Sequence, residues 1–218
     1  MPSTHNYSTY IFDCDGVILD SNKLKIDAMN RVLNNITDQS ALVADCIDYF
    51  KNNFGKSRFY HVQIFVEHIL LIPKKQREQF KNLILNDYSA LCKELYLNSS
   101  LTPGFYEFIN SLKGKKYVAS GSEEKELQLV FKEKNLSTYF DGIFGSPSRK
   151  SDIVKSIIEK NNSKTYIMFG DSLSDLSAAI ENNIQFIGYT PYSNVTSLLI
   201  KKCEENNFRT ISNWSELN

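Results

Sequence analysis

The sequence predicts an α/β fold built on a parallel sheet, and three observations carry that expectation. Short β-rich runs recur along the 218 residues, at YIFDCD (10–15), KYVAS (116–120), DGIFGS (141–146), TYIMFG (165–170) and IQFIGY (184–189). Helical patterns separate these runs, which is the mark of βαβ units. Between the first and second runs the periodicity is helical throughout, so an all-helical insert is expected inside the α/β unit. Ligands of such sheets bind beyond the carboxyl ends of the strands, and the chemistry-bearing residues are expected there.

The insert is expected over residues 20–98 as four helices. Ala28, Met29, Val32, Leu33 and Ile36 share one face, as do Leu42, Val43, Cys46, Ile47 and Phe50, then Val62, Phe65, Val66, Ile69 and Leu70. A fourth helix follows Pro73, with Phe80, Leu83, Ile84, Asp87, Tyr88, Leu91 and Leu95 on or near its buried side. Packing against a core explains these stripes, and an insert of this kind can also close over a site. Its junctions are expected near 20–24 and at NSSLTPG, a linker by composition.

Lys plus Arg and Asp plus Glu both number 25, so no overall field favours nucleic acid or an anionic membrane. Cys14, Cys46, Cys92 and Cys203 are far apart and form no CxxC pair, which argues for reduced, buried thiols rather than zinc or a disulfide framework. The first ten residues lack a secretory pattern, and no run approaches the ~18 apolar residues of a membrane span. A cytoplasmic protein is expected, with neither nucleic acid nor membrane as partner.

Four strand ends carry the candidate chemistry. FDCDG sets Asp13 and Asp15 at alternate positions, on one side of an extended chain, where two carboxylates repel unless a cation or a shared proton compensates. An ordinary Asp-rich turn is the alternative, and an EF-hand fits poorly because its loop would begin at Ile11 and end at Asn22. VASGS places Ser120, Gly121 and Ser122 at the start of a helix, suited to an anion or simply to an N-cap by Ser120 or Ser122. Lys150 lies in the loop leading on from DGIFGS, where an ammonium can balance carboxylates and a phosphate. MFGDSLSD brings Asp171 to the same sheet edge, with Asp175 one helical turn later. Oxygen ligands without His or Cys suit Mg²⁺ better than zinc.

This order of motifs, DxD, Ser, Lys and GDxxxD, resembles the haloacid dehalogenase superfamily, more narrowly its phosphatases and phosphomutases with a helical C1-type cap. The resemblance covers the chain from Tyr10 to about Ile211. It implies a Rossmann-like, three-layer core of residues 1–19 and 99–218 and a cap of residues 20–98. It further implies a Mg²⁺-dependent phosphatase, monomeric or weakly homodimeric, acting on a small-molecule phosphate ester, either a sugar phosphate or a phosphoglycolate-like one. Asp13 would be the nucleophile that becomes an aspartyl phosphate, and Asp15 a general acid that must hold a proton in the substrate complex, where neighbouring carboxylates can raise its pKa. Ser120 and the Gly121 amide would hold the phosphoryl group, and Lys150 would stabilise its charge. Asp13, the backbone carbonyl of Asp15 and Asp171 would bind the metal, with Asp175 orienting water or Lys150.

Asp15 argues against the dehalogenases and phosphonatases, which lack an acid there, and FDCDG is not the DKTGT of transporting ATPases. A β-phosphoglucomutase-like mutase is the nearest alternative, because it uses the same two aspartates. In the cap, NFGKSRFYHVQIF resembles a specificity loop, so Lys56 or Arg58 is a candidate for a second anionic or polyhydroxyl part of the substrate, against a solvated basic loop. His61 and His68 read as packing or surface residues. FGDSLSDL also spells a GDSL-type serine esterase at Ser172, yet His5, His61 and His68 all lie upstream, where that family needs a downstream histidine. Cys203 and Arg209 have the spacing of cysteine phosphatases, but EENNF between them is no phosphate cradle. A non-enzymatic binding protein of this fold would be expected to have lost Asp13 or Asp171, and neither is lost.

Overall fold

The computed structural model describes residues 6–161 and 163–217, which leaves His5 outside the described residues. Six parallel strands, β1 (Thr9–Phe12), β2 (Lys115–Glu123), β3 (Gly142–Ser146), β4 (Tyr166–Gly170), β5 (Gln185–Tyr189) and β6 (Arg209–Ile211), form one sheet in the order β3-β2-β1-β4-β5-β6. The helices are α1 (Asn22–Ile36), α2 (Ser40–Asn52), α3 (Arg58–Ile64), α4 (Arg77–Asn98), α5 (Phe105–Ser111), α6 (Glu124–Glu133), α7 (Lys150–Lys160), α8 (Leu173–Glu181) and α9 (Thr196–Glu205). Helices cover both faces of the sheet, as a buried parallel sheet requires. The α/β expectation is met. Strand β6 was not legible, because three residues reading RTI are too short for any alternating pattern.

β1 is central, and all four of its residues are buried. Successive side chains point to opposite faces, so Phe12 and Phe169 join one core while Ile11 and Met168 join the other. The first core is aromatic: Phe12 stacks on Phe169 with ring centroids 4.9 Å apart, and Phe108 stacks on Trp214 at 4.8 Å. The indole of Trp214 donates to Thr102 Oγ1 at 3.1 Å, so the buried ring leaves no orphan N–H. The register aligns Phe12 with both Val118 and Phe169, and the Asp13 amide donates to the Phe169 carbonyl at 2.9 Å. Asp13 and Asp171 therefore emerge side by side at one edge of the sheet.

Every element within residues 22–98 is helical, with a π-helical turn, Phe65–Ile69, continuing α3 and short loops between the helices. The expected faces of the first three helices are buried or half-buried, whereas α4 requires a correction: Leu83 is 46% exposed and Asp87 is exposed. The buried stripe is Ile84, Tyr88, Cys92 and Tyr96, a strict four-residue spacing that follows one ridge of the helix. At the junctions, Asp20 N donates to Ser100 O at 2.9 Å and Thr102 N to Ile18 O at 2.9 Å, so entry and exit strands pair.

A second correction falls on Ser120–Ser122. These residues do not open a helix but lie in β2, which resumes its pairing with β3 at Glu123 after a register shift. Pairing with Ser146 keeps the chain extended, and Glu123 caps α6, accepting from the Glu126 amide at 2.8 Å. The four cysteines are free and buried, as expected. Among the described residues no helix is long and apolar enough to cross a membrane.

Candidate active site

Asp13, Asp171 and Asp175 bring carboxylate oxygens within 4.8 Å of one another, and each residue is at most 1% exposed. Asp175 is fully engaged: Oδ1 accepts from Lys150 Nζ, and Oδ2 accepts from the Ser172 amide at 3.1 Å and its hydroxyl at 2.6 Å. Position drives this arrangement, since Asp175 lies one turn into α8 and reaches back to the residue that caps it. Lys150 begins α7 and places Nζ 3.0 Å from Asp13 Oδ1. Asp171 Oδ2 accepts from Asn22 Nδ2 at 2.6 Å. What remains is Asp13 Oδ2 and Asp171 Oδ1, buried and without a hydrogen-bond partner among the described residues.

Burial, then repulsion from Asp175, pushes the Asp13 carboxyl up to about 7 against the pull of Lys150. Burial and the charges of Asp13 and Asp175 raise Asp171 well above the usual carboxylate range. Burial alone would lower the Lys150 ammonium, but Asp13 and Asp175 raise it on balance. Two bare, buried carboxylate oxygens are what a hard divalent cation satisfies, so these residues fit such a cation. The backbone closes on the same place: Gly16 (φ +73°) lies so near that a Cβ there would be 2.3 Å from Asp171 Oδ2. Any side chain at Gly16 would collide with Asp171 and with Asn22, which holds it.

Asp15 faces a different set of partners. Its Oδ2 accepts from Lys25 Nζ at 2.6 Å and Ser122 Oγ at 2.8 Å, and its Oδ1 from Ser21 Oγ at 2.5 Å and Tyr96 OH at 2.8 Å. Burial raises its pKa, but the Lys25 charge and the hydrogen bonds from Lys25, Ser21 and Tyr96 outweigh that, and the net direction is down. The raised pKa is expected for the substrate complex; in this arrangement the direction is the opposite. A cation from α1 decides the sign, and carboxylates do not.

Ser120 is buried and its Oγ accepts from the Ser122 amide at 3.1 Å. Gly121 lies directly under the loop between α2 and α3, where a Cβ would be 2.4 Å from the Gly55 carbonyl. Gly55 (φ +88°) in turn abuts the hydroxyls of Ser172 and Ser174, each 2.4 Å from where its Cβ would be. The loop of Lys56 is thus seated on the sheet edge. Arg58, expected near substrate, is 5% exposed and makes a two-pronged ion pair with Glu126 of α6, at 2.9 and 2.6 Å. Lys56 is exposed and donates to Asn53 Oδ1 at 3.1 Å and Tyr60 OH at 3.4 Å.

Asn22, Lys25, Tyr96, Ser122 and Glu126 were not singled out from sequence. A signal for Lys25 existed: it continues the Ala28, Met29, Val32 stripe, and a lysine inside an apolar stripe is a buried cation awaiting an anion. Tyr96 likewise ends the four-residue stripe of α4. The competing chemistries find no support. Ser172 Oγ bonds Asp175 and Ser174, and no histidine among the described residues hydrogen-bonds to it. Burial, then Glu204, pushes the Cys203 thiol up to about 11, opposite to a nucleophilic cysteine. His61 is buried and His68 exposed, as read.

A catalytic α/β protein with an acidic, metal-suited sheet edge is the class that fold and site define. The profile of the haloacid dehalogenase-like hydrolases matches residues 7–183, and the chain belongs to that family. None of the curated proteins compared with the chain matches it. Among solved structures, one described as a predicted phosphatase from Clostridium acetobutylicum is similar, with a TM-score of 0.74 at 19% identity over 97% of this chain and 96% of its own. A haloacid dehalogenase-like family protein from Streptococcus pneumoniae has a TM-score of 0.72 at 17% identity, over 97% and 96%. One described as a predicted phosphoglycolate phosphatase from Haemophilus somnus has a TM-score of 0.74 at 17% identity, over 97% and 96%. At such identities the likeness speaks to the fold.

Proposed function

We propose that this hydrolase is a Mg²⁺-dependent phosphatase that cleaves a small phosphate ester through an aspartyl phosphate on Asp13. The observation that carries the reading is the pair of bare, buried oxygens, Asp13 Oδ2 and Asp171 Oδ1, beside the Lys150 ammonium. The phosphatases among the similar structures support it.

Asp13, Asp171 and the Asp15 carbonyl would hold Mg²⁺, which would supply neutralisation of the negative charge gathered there. Asp13 attacks phosphorus, and its new O–P bond forms as the ester O–P bond breaks. The Ser120 hydroxyl and Gly121 amide hold the phosphoryl oxygens while Lys150 offsets their charge. Asp15 gives a proton to the departing oxygen, then takes one from the water that cleaves the aspartyl phosphate and releases phosphate. Lys25 keeps Asp15 ionised in the resting arrangement, so the proton must arrive with substrate, whose phosphate adds negative charge beside it. Residues 20–98 act as a cap over a core of residues 1–19 and 99–218, meeting the site through the Gly55 loop and through Ser21, Asn22, Lys25 and Tyr96.

The test is p-nitrophenyl phosphate turnover with and without Mg²⁺. Mg²⁺-dependent release that disappears in Asp13→Asn is expected; release that ignores the metal, or survives that substitution, overturns the reading.

A further inference from the structure

We propose that His61 is a specificity-determining residue that reads the alcohol released from the substrate, and that this alcohol is small, uncharged and hydroxyl-bearing. The inference rests on the phosphatase reading and adds the chemical class of the leaving group.

A cavity of about 20 Å³ lies between the cap helices and the sheet edge, lined by both Asp15 and Gly121. An ester whose phosphoryl group is held at Gly121 and whose leaving oxygen is protonated by Asp15 must project its alcohol into this space. Phe50, Phe54 and Tyr88 wall it. The volume is room for about one water, so a short alcohol fits this space with less repacking than a bulky one.

His61 lines the same cavity, is 1% exposed, and its Nδ1 has no hydrogen-bond partner among the described residues. The ring is wedged among aromatics, with its centroid 4.7 Å from that of Phe50 and 6.1 Å from that of Phe65. An unpaired buried ring nitrogen is costly, and such groups in native proteins generally have a partner. A hydroxyl both donates and accepts, so it satisfies Nδ1 in either tautomer. Burial, then the charges of Lys56 and Lys25, push the ring down to about 3, so His61 offers a hydrogen bond and no positive charge.

The charges around the cavity are already matched. Lys25 lies 2.6 Å from Asp15, and Arg58 holds both oxygens of Glu126 at 2.9 and 2.6 Å. Lys56, the remaining cation of the lining, is exposed to solvent. A carboxylate on the leaving group would enter a space whose buried cations are already paired, and would lose its hydration in exchange for the solvent-screened charge of Lys56 alone. A neutral hydroxyl meets no such penalty.

The experiment compares kcat/KM for glycerol 3-phosphate, propyl phosphate and 3-phosphoglycerate, all of three carbons, with Mg²⁺ and with p-nitrophenyl phosphate as the general ester. The wild-type protein is expected to prefer glycerol 3-phosphate over both others by about tenfold or more, or ~1.4 kcal/mol. His61→Phe, with folding checked by circular dichroism, is expected to lower the ratio of glycerol 3-phosphate to propyl phosphate by about tenfold. A preference for 3-phosphoglycerate, no preference over propyl phosphate, or an unchanged ratio in the folded variant overturns the inference alone. If the variant does not fold, the wild-type ratios decide. Failure to hydrolyse any ester, p-nitrophenyl phosphate included, removes the phosphatase reading and this inference with it.

Discussion

The guanidinium of Arg58 on α3 holds both carboxylate oxygens of Glu126 on α6, joining the helical insert to the sheet domain through one buried, two-pronged ion pair. Its aromatic neighbour is Tyr88, whose ring centroid is 5.1 Å from the guanidinium carbon. Removing Glu126 leaves a buried cation without its anion, and Glu126→Ala is expected to lose ~3 kcal/mol in urea unfolding. Arg58→Ala leaves a carboxylate with 18% side-chain exposure that water can partly reach, so it is expected to lose less. A double-mutant cycle checks the coupling, which is expected to exceed that of an exposed pair, ~0.5 kcal/mol.

Asp13 and Asp171 should make stability metal-dependent. Mg²⁺ at a hundredfold excess over its dissociation constant is expected to stabilise the wild-type fold by ~2.7 kcal/mol. Thermal unfolding at rising Mg²⁺ is expected to show this shift, and Asp171→Asn to abolish it.

Asp13→Asn should inactivate the protein yet stabilise its metal-free form above neutral pH. The native Asp13 carboxyl is raised to about 7, whereas an unfolded aspartate ionises near 3.8. Above about 7 the folded state must keep charged a group that burial and Asp175 disfavour, so Asp13 subtracts from stability there. Melting temperatures at pH 8 in chelator are expected to be higher for Asp13→Asn than for the wild type.

His61 has the opposite consequence in acid. Its folded pKa is about 3 and its unfolded value 6.5, so between these the unfolded chain takes up a proton that the folded one refuses. Stability present above 6.5 is therefore lost as pH falls toward 3, by up to ~1.4 kcal/mol per pH unit. Subtracting the unfolding free energies of His61→Phe from those of the wild type across pH 4–7 is expected to isolate this slope.

Gly121→Ala tests the seated loop. Its Cβ would meet the Gly55 carbonyl at 2.4 Å, and backbone cannot swing aside as a side-chain tip can. Turnover is expected to fall by more than about tenfold, with a smaller loss of stability, since displacing a positioning loop costs rate before it costs fold.

Periodicity and punctuation made most of the fold legible. TYIF and YIMFG are continuous apolar runs of the kind a parallel sheet buries on both faces, and the insert shows its helical stripes openly. Strand β6 escaped because three residues carry no period, and β2 was cut short because SGS looks like the start of a helix until Ser146 is known to pair with Glu123. Leu83 was assigned to the buried side of α4 because a propensity for apolar contact does not say which of two adjacent ridges packs.

The sequence by itself determined that carboxylates emerge at the ends of two strands, that an ammonium follows a third, and that a helical insert separates the first motif from the rest. Those are properties of local pattern and chain order. Only the tertiary structure decided what each charge faces. Lys25, ten residues after Asp15, gives that carboxyl a resting direction opposite to the one expected with substrate bound, and Glu126, far along the chain from Arg58, occupies the guanidinium expected near substrate. The reason is that desolvation and Coulomb terms depend on burial and on distances of a few ångströms across elements remote in sequence. The same holds for His61, whose unpaired nitrogen becomes a statement about substrate only once Asp15 is found lining the same cavity.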